Sequence, residues 1–327
     1  MKKLLPTVLL ATIFIFGVNS AYAQEAGTED RVLVIGGTTD EAGSLSINFA
    51  GDPGETLKGS TSVTNLSTET LKIKTEFTDF IVESEAGVPT PVEAGSSIWA
   101  MSLWISVPAE YQEFTIEPNE TKEVPFTIDA PQDATPGGHY AMVLFTPTIV
   151  KEEVVGPLIE HKVGNLVKLT ISGDIKENAE ITELSAPYFS EYGPIPLTLR
   201  VLNSGNTHVK TSGMITIRNM FDKEVAKWEV KPANVFPTAV RAWDTEWAGK
   251  WRFGLYKAEA NLVYGSSDTP ITSEVYFWVF PWKAISVISG IIVLFIVWGK
   301  YLDSKENKKS KKLKSAKKKN EETSSPV

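Results

Sequence analysis

Residues 254–264 read GLYKAEANLVY, with Tyr256, Ala258, Ala260, Leu262 and Tyr264 on one side of the chain and Lys257, Glu259 and Asn261 on the other. Successive side chains of a strand point to opposite faces, so this alternation predicts a half-buried β-strand. The same period recurs upstream. Leu71, Ile73, Thr75 and Phe77 alternate with Lys72, Lys74 and Glu76, and Val124, Phe126 and Ile128 alternate with Glu123, Pro125 and Thr127. Turn-forming clusters separate the runs: Asp52-Pro53-Gly54, Pro136-Gly137-Gly138, Asn203-Ser204-Gly205-Asn206 and Gly265-Ser266-Ser267. No segment between residues 30 and 280 reads as a long helix. Many short strands with frequent turns predict an all-β sandwich or barrel.

The motifs also repeat in order. Val63-Thr64-Asn65 closes a strand in the first half, and Val201-Leu202-Asn203 does so in the second. Pro118 is followed by Lys122 and Val124, as Pro237 is by Arg241 and Trp243. Gly138-His139-Tyr140 then enters the apolar run AMVLF, as Gly254-Leu255-Tyr256 enters the strand quoted above. The fold class expected is all-β, two tandem immunoglobulin-like β-sandwiches at about 30–175 and 178–280, followed by one C-terminal transmembrane helix. Tyr140 and Tyr256 are candidates for a tyrosine corner, in which the hydroxyl bonds upstream backbone. The first copy carries an extra β-arm, from Thr148 to Gly164.

The two ends predict topology. Lys2 and Lys3, the apolar run Leu4 to Val18 and Ala21-Tyr22-Ala23 have the form of a cleavable signal peptide over residues 1–23. Ala284 to Trp298 is an uncharged apolar run. Extended back to Pro281, it predicts a membrane helix over residues 281–299, with Trp282 and Trp298 at the interfaces. Residues 300–327 hold ten lysines and four acids, which puts this tail in the cytoplasm by the positive-inside rule. The expected location is therefore the plasma membrane, single-pass, with the N-terminal domains outside the cell.

Residues 24–281 hold 19 basic and 36 acidic residues, a net charge of −17. Such a surface repels nucleic acid, so no extracellular nucleic-acid partner is expected. The chain has no cysteine. Its domains must therefore hold without disulfides, which points to a prokaryotic surface protein. The absence of a thiol also removes a lipid anchor, a thiol nucleophile and zinc–thiolate sites.

The three histidines, His139, His161 and His208, form no metal-binding or nucleophile-activating pattern, and no P-loop, GxSxG or EF-hand sequence is present. Neither an enzyme nor a cofactor is expected. The run Ile98 to Val107, IWAMSLWISV, reads as a strand with Trp99, Met101, Leu103, Ile105 and Val107 on one face. Trp104 shares the other face with Ala100, Ser102 and Ser106, where its indole could stack on sugar or peptide. Trp104 is thus the candidate ligand-binding residue; cover by the neighbouring loop or by the other domain is the alternative.

The order of these features resembles the WxL-interacting cell-surface protein family. The matching pieces are Pro53-Gly54-Glu55, Val63-x-Asn65, Leu103-Trp104-Ile105, Ile116-x-Pro118 and Pro136-Gly137-Gly138. The resemblance covers the whole chain in architecture and residues 44–175 in sequence pattern. Leu45-Ser46-Ile47-Asn48-Phe49 departs from the family's first paired strand. The resemblance implies a peptidoglycan-binding and a host-binding domain, both immunoglobulin-like, before a single membrane helix and a basic tail. The reading is a non-enzymatic, membrane-anchored protein that binds cell-wall polymer or another secreted surface protein. A strand-exchanging assembly factor is the main alternative, and a carbohydrate-active enzyme a further one.

Overall fold

The computed structural model describes residues 33–36, 38–39, 45–149, 162–249 and 252–323. The signal peptide lies outside these residues, as does the expected β-arm apart from its two ends.

The first group of strands is β1 (Leu33–Gly36), β2 (Thr38–Thr39), β3 (Leu45–Gly51), β4 (Thr56–Asn65), β5 (Leu71–Ile81), β6 (Thr90–Val92), β7 (Ile105–Ser106), β8 (Glu113–Ile116), β9 (Thr121–Asp129), β10 (Gly137–Ile149) and β11 (Val163–Ile171). One sheet has the order β1-β4-β9-β7, and the other β2-β3-β11-β10-β5-β6, with β8 beside the start of β5. The short helix α1 (Ala109–Gln112) lies between β7 and β8. A core forms between the sheets from the inward positions of each strand, including Val63, Leu71, Ile73, Val124, Phe126, Ile128, Phe145 and Leu169. Burying each such side chain is worth about 1.5–3 kcal/mol, and the period-two pattern fixes which face receives it.

The second group is β12 (Ala179–Ser185), β13 (Phe189–Ser190), β14 (Ile195–Asn203), β15 (Val209–Asn219), β16 (Glu224–Val235), β17 (Val240–Trp247), β18 (Gly254–Tyr264) and β19 (Thr269–Val279). Its sheets run β12-β14-β17 and β13-β19-β18-β15-β16. Each described strand pairs within its own group. All five inward residues of the opening stretch, Tyr256 to Tyr264, are buried on β18. The chain is thus mostly β, immunoglobulin-like in its paired sheets, with one long C-terminal helix, α2 (Trp282–Thr323). Trp282–Lys305 is long and apolar enough to cross a membrane.

The repeated Val-x-Asn and proline motifs have a common physical cause. Asn65 is fully buried, and its amide donates to the carbonyls of Glu69 at 2.8 Å and Ile116 at 3.1 Å. Its side-chain oxygen accepts from the Ser67 N–H at 2.9 Å. Asn203 is equally buried and donates to Thr207 and Val235, both at 2.8 Å, while accepting from the Gly205 N–H at 2.8 Å. The main chains match as well. Asn65 carbonyl accepts from Asn119 at 2.8 Å and Asn203 carbonyl from Thr238 at 2.9 Å. Asn119 and Thr238 each follow the motif proline and adopt positive φ, 60° and 63°. A buried amide clasps the same strand corner in both sheet pairs.

One expected element is not formed. Residues Ile98 to Val107 do not make a continuous strand: they run through a turn, a bridge at Ala100, a 3₁₀ turn at Ser102–Trp104 and only then β7. Asp79, fully buried at the end of β5, accepts N–H bonds from Gly95 at 2.6 Å, Met101 at 3.1 Å and Ser102 at 2.9 Å. Gathering these three donors on one carboxylate bends the segment. Side-chain alternation is lost with the strand, so Met101 and Ser102 are both buried and Leu103 is exposed.

Candidate functional site

The two sheet pairs meet through named contacts. Phe80 and Tyr140 from the first pack on Phe236 from the second, with ring centroids 5.3 and 5.0 Å from it, both nearly edge-to-face. Tyr140 Oη accepts the His208 N–H at 2.8 Å. Gly138 donates to the Asn206 carbonyl at 2.8 Å, and Asn206 Nδ2 donates back to Pro136 at 3.1 Å. A Cβ at Gly138 would strike the Tyr140 hydroxyl, so that hydroxyl needs glycine in this position. The Ala242 N–H on β17 donates to Glu85 carbonyl at 2.7 Å, and the Glu85 carboxylate takes two bonds from Arg200 Nε, at 3.0 and 2.9 Å.

Beside this aromatic cluster lies an open cleft of about 740 Å³. Phe80, Val82, Ile98 and Trp99 line one wall, Phe236, Pro237 and Val240 the other, and Glu83 and Glu85 stand among them. Ile98 is 79 % exposed although it is a large aliphatic side chain. Trp99 is partly buried, and its backbone is fixed because its carbonyl accepts the Tyr140 N–H at 2.8 Å. Asp79 sets this wall by bending residues 95–102. The cleft can take an apolar segment, and Glu83 favours a basic group next to that segment, the Glu85 carboxylate being held by Arg200.

The residues singled out from sequence lie elsewhere. Trp104 is partly buried against the first core, with its ring 4.6 Å from that of His139, and does not line the cleft. His139 is itself buried, with Nε2 2.8 Å from Thr135 carbonyl. Burial holds its imidazole below the ordinary range, against the pull of backbone carbonyl contacts. Tyr140 does not bond upstream backbone: its hydroxyl reaches the other sheet pair, and burial pushes its phenol well above the ordinary range. Tyr256 Oη donates to Phe253 carbonyl, three residues upstream, at 3.2 Å. Among the described residues no group of three His, Asp or Glu could hold a metal ion.

Sequence reading missed Ile98, Trp99, Phe236 and Asp79. Asp79 left one trace: an acid that interrupts an apolar strand end, Phe77 to Ile81.

No family model and no curated protein matches this chain. Similar solved structures include the YadV chaperone, at 9% identity and TM-score 0.40, over 75% of this chain and 100% of that one. The class 5 fimbriae chaperone CfaA is similar at 13% identity and TM-score 0.39, over 74% and 98%. The SafB chaperone structure with SafA pilin from Salmonella enterica gives 13% identity and TM-score 0.33, over 76% and 96%. At TM-scores of this size the likeness carries no argument about activity or partners, which rest on this chain's own residues.

Proposed function

We infer that this is a membrane-anchored, non-enzymatic surface protein whose two sheet pairs are two domains and whose junction cleft holds a segment of another secreted or surface polypeptide. The cleft carries this reading. Its walls are mainly apolar, an exposed aliphatic side chain sits at its mouth, and the Glu83 carboxylate flanks it. A sugar polymer needs exposed aromatic faces with many hydrogen-bonding groups around them. This cleft offers few, so polypeptide is favoured over cell-wall polymer. The anchor is α2, which follows β19 after only Phe280 and Pro281.

A strand-exchanging assembly factor is the second reading, favoured by one feature. Among the described residues, no strand lies outside β3 beyond Ser46. Neither proline nor lysine blocks Ile47 to Gly51, whereas β9 carries Pro125, β16 carries Pro232 and β19 carries Pro270.

The test uses the full chain in its own membrane, with a photocrosslinking residue in place of Ile98 or of Ala50, which is exposed on β3. A discrete adduct with a secreted or surface protein through position 98 supports the cleft. An adduct through position 50 alone moves the assignment to the strand edge. Retention on wall sacculi without any protein adduct moves it to cell-wall polymer.

A further inference from the structure

At the end of the second sheet pair where α2 begins, large apolar side chains face outward. Phe221 is 82 % exposed, Tyr188 76 % and Phe253 65 %, and Met220, Tyr192 and Trp282 are exposed beside them. The strand registers place them together. Gly254 pairs with Val279, Asn219 with Tyr256, and Phe189 with Trp278. The turn carrying Met220 and Phe221, the segment before β18 and the loop around β13 therefore all lie at the level of the last residues of β19. Phe253 and Phe280 rings are 5.1 Å apart, and a Cβ on Gly254 would lie 3.7 Å from Met220 Sδ.

These side chains are held outward by specific contacts. Asn219 Oδ1 accepts the N–H groups of Phe221 at 3.0 Å and Lys223 at 3.1 Å, which closes the turn and projects Phe221 from its tip. Lys283 Nζ pairs with Glu191 at 2.7 Å, which ties the first turn of α2 to the loop bearing Tyr188 and Tyr192.

We propose that this end is a lipid-contacting collar, seated in the headgroup layer of the membrane that α2 crosses. The proposal rests on the reading of α2 as a membrane span. Only two residues separate β19 from α2, and from Trp282 to the first residue of the uncharged run, Ala284, the helix rises about 3 Å. The headgroup layer is roughly 5–8 Å thick on each side of the hydrocarbon. The collar residues therefore have no room to stand clear of it. Tyr and Trp, apolar bodies with a polar tip, are favoured at that depth, and Phe and Met gain by leaving water. The occupant is lipid because the patch surrounds the helix exit. With several points of contact the collar fixes how the junction cleft is aimed from the membrane.

The chain has no cysteine, so single cysteines can be labelled cleanly. The full chain carrying Phe221→Cys, Ile291→Cys or Ser267→Cys, each with an environment-sensitive fluorophore, is placed in phosphatidylcholine–phosphatidylglycerol nanodiscs containing spin-labelled lipid. Met220→Cys provides a second probe on the same turn. Ser267 lies in the β18–β19 turn at the opposite end of the sheet. The expected result is quenching at 221 and 220 close to that at 291 and well above that at 267. Quenching at 291 with 221 and 220 as weak as 267 overturns the collar and leaves the span intact. No quenching at 291 overturns the span, and the collar with it.

Discussion

Asn203 makes, in the second sheet pair, the side-chain hydrogen bonds that Asn65 makes in the first: two donated to carbonyls, and one accepted from the N–H two residues ahead. Both side chains are fully buried. Each supplies a donor to two main-chain carbonyls on different segments, and so joins a strand end to the turn packed over it. The second sheet pair repeats the first at the level of this clasp.

Asn65→Ala and Asn203→Ala should each destabilise by about 2–4 kcal/mol, because two carbonyls lose the amide donor and an N–H loses its acceptor at once. Asparagine to aspartate should cost at least as much, since it removes the donors and brings in a charge. Chemical denaturation measures both. The effects should add in the double variant, because the clasps share no partner. A change within 0.5 kcal/mol of zero, the range of ordinary surface substitutions, would show that the clasp does not hold the corner.

His139 makes stability depend on pH. Burial lowers its folded pKa below the ordinary imidazole value of 6.5, so the folded state binds fewer protons than the unfolded chain. This contribution is fully present above pH 6.5 and declines as pH falls through 6.5 toward the folded pKa. His139→Gln keeps a donor toward the Thr135 carbonyl and removes the titration. Melting temperatures across this range should fall more steeply for the native chain than for the variant; parallel curves would exclude His139 as the cause.

Much of the fold is legible in the residues themselves. The alternation in β5, β9 and β18 reports burial directly, because a strand facing one core must present every second side chain to it. The Asn65/Asn203 repeat is legible because a buried amide with fixed partners constrains its neighbours at fixed offsets. The candidate site is not. Ile98 to Val107 alternates as a strand would, but the bonds that bend it come from Asp79, some twenty residues earlier, and no local pattern records them. Tyr140 marks a strand start correctly, but its hydroxyl partner, His208, belongs to the other sheet pair. A cleft built where two units meet depends on long-range packing, which periodicity does not encode.

Asp79 should control the cleft wall. Asp79→Ala leaves three N–H groups around residues 95–102 without their acceptor, a loss of about 3 kcal/mol or more. Asp79→Asn keeps one acceptor oxygen, which can still hold Met101 and Ser102, but turns its amide donor toward the Gly95 N–H, so it should restore only part of the wall. Hydrogen exchange would show Gly95, Met101 and Ser102 amides losing protection in Asp79→Ala, ahead of those in β9, and Gly95 losing it most in Asp79→Asn. Unchanged protection at these amides would remove Asp79 as the organiser of the wall.

Trp104 and Ile98 separate packing from binding. Trp104 contributes area to the first core and a ring contact to His139, so Trp104→Ala should destabilise by about 2 kcal/mol, below the cost of a fully buried indole. Once folded, the variant should keep its partner, because Trp104 does not line the cleft. Ile98 is mostly exposed and supports no core, so Ile98→Asp should leave the unfolding midpoint nearly unchanged. It should nevertheless weaken partner binding severely, by replacing the aliphatic contact at the apolar mouth with a charge that an apolar segment would have to desolvate. Measuring stability and binding on the same two variants therefore gives opposite patterns. If Trp104→Ala loses the partner at full stability while Ile98→Asp retains it, the binding surface is the Trp104 face and the cleft is only the seam between the sheet pairs.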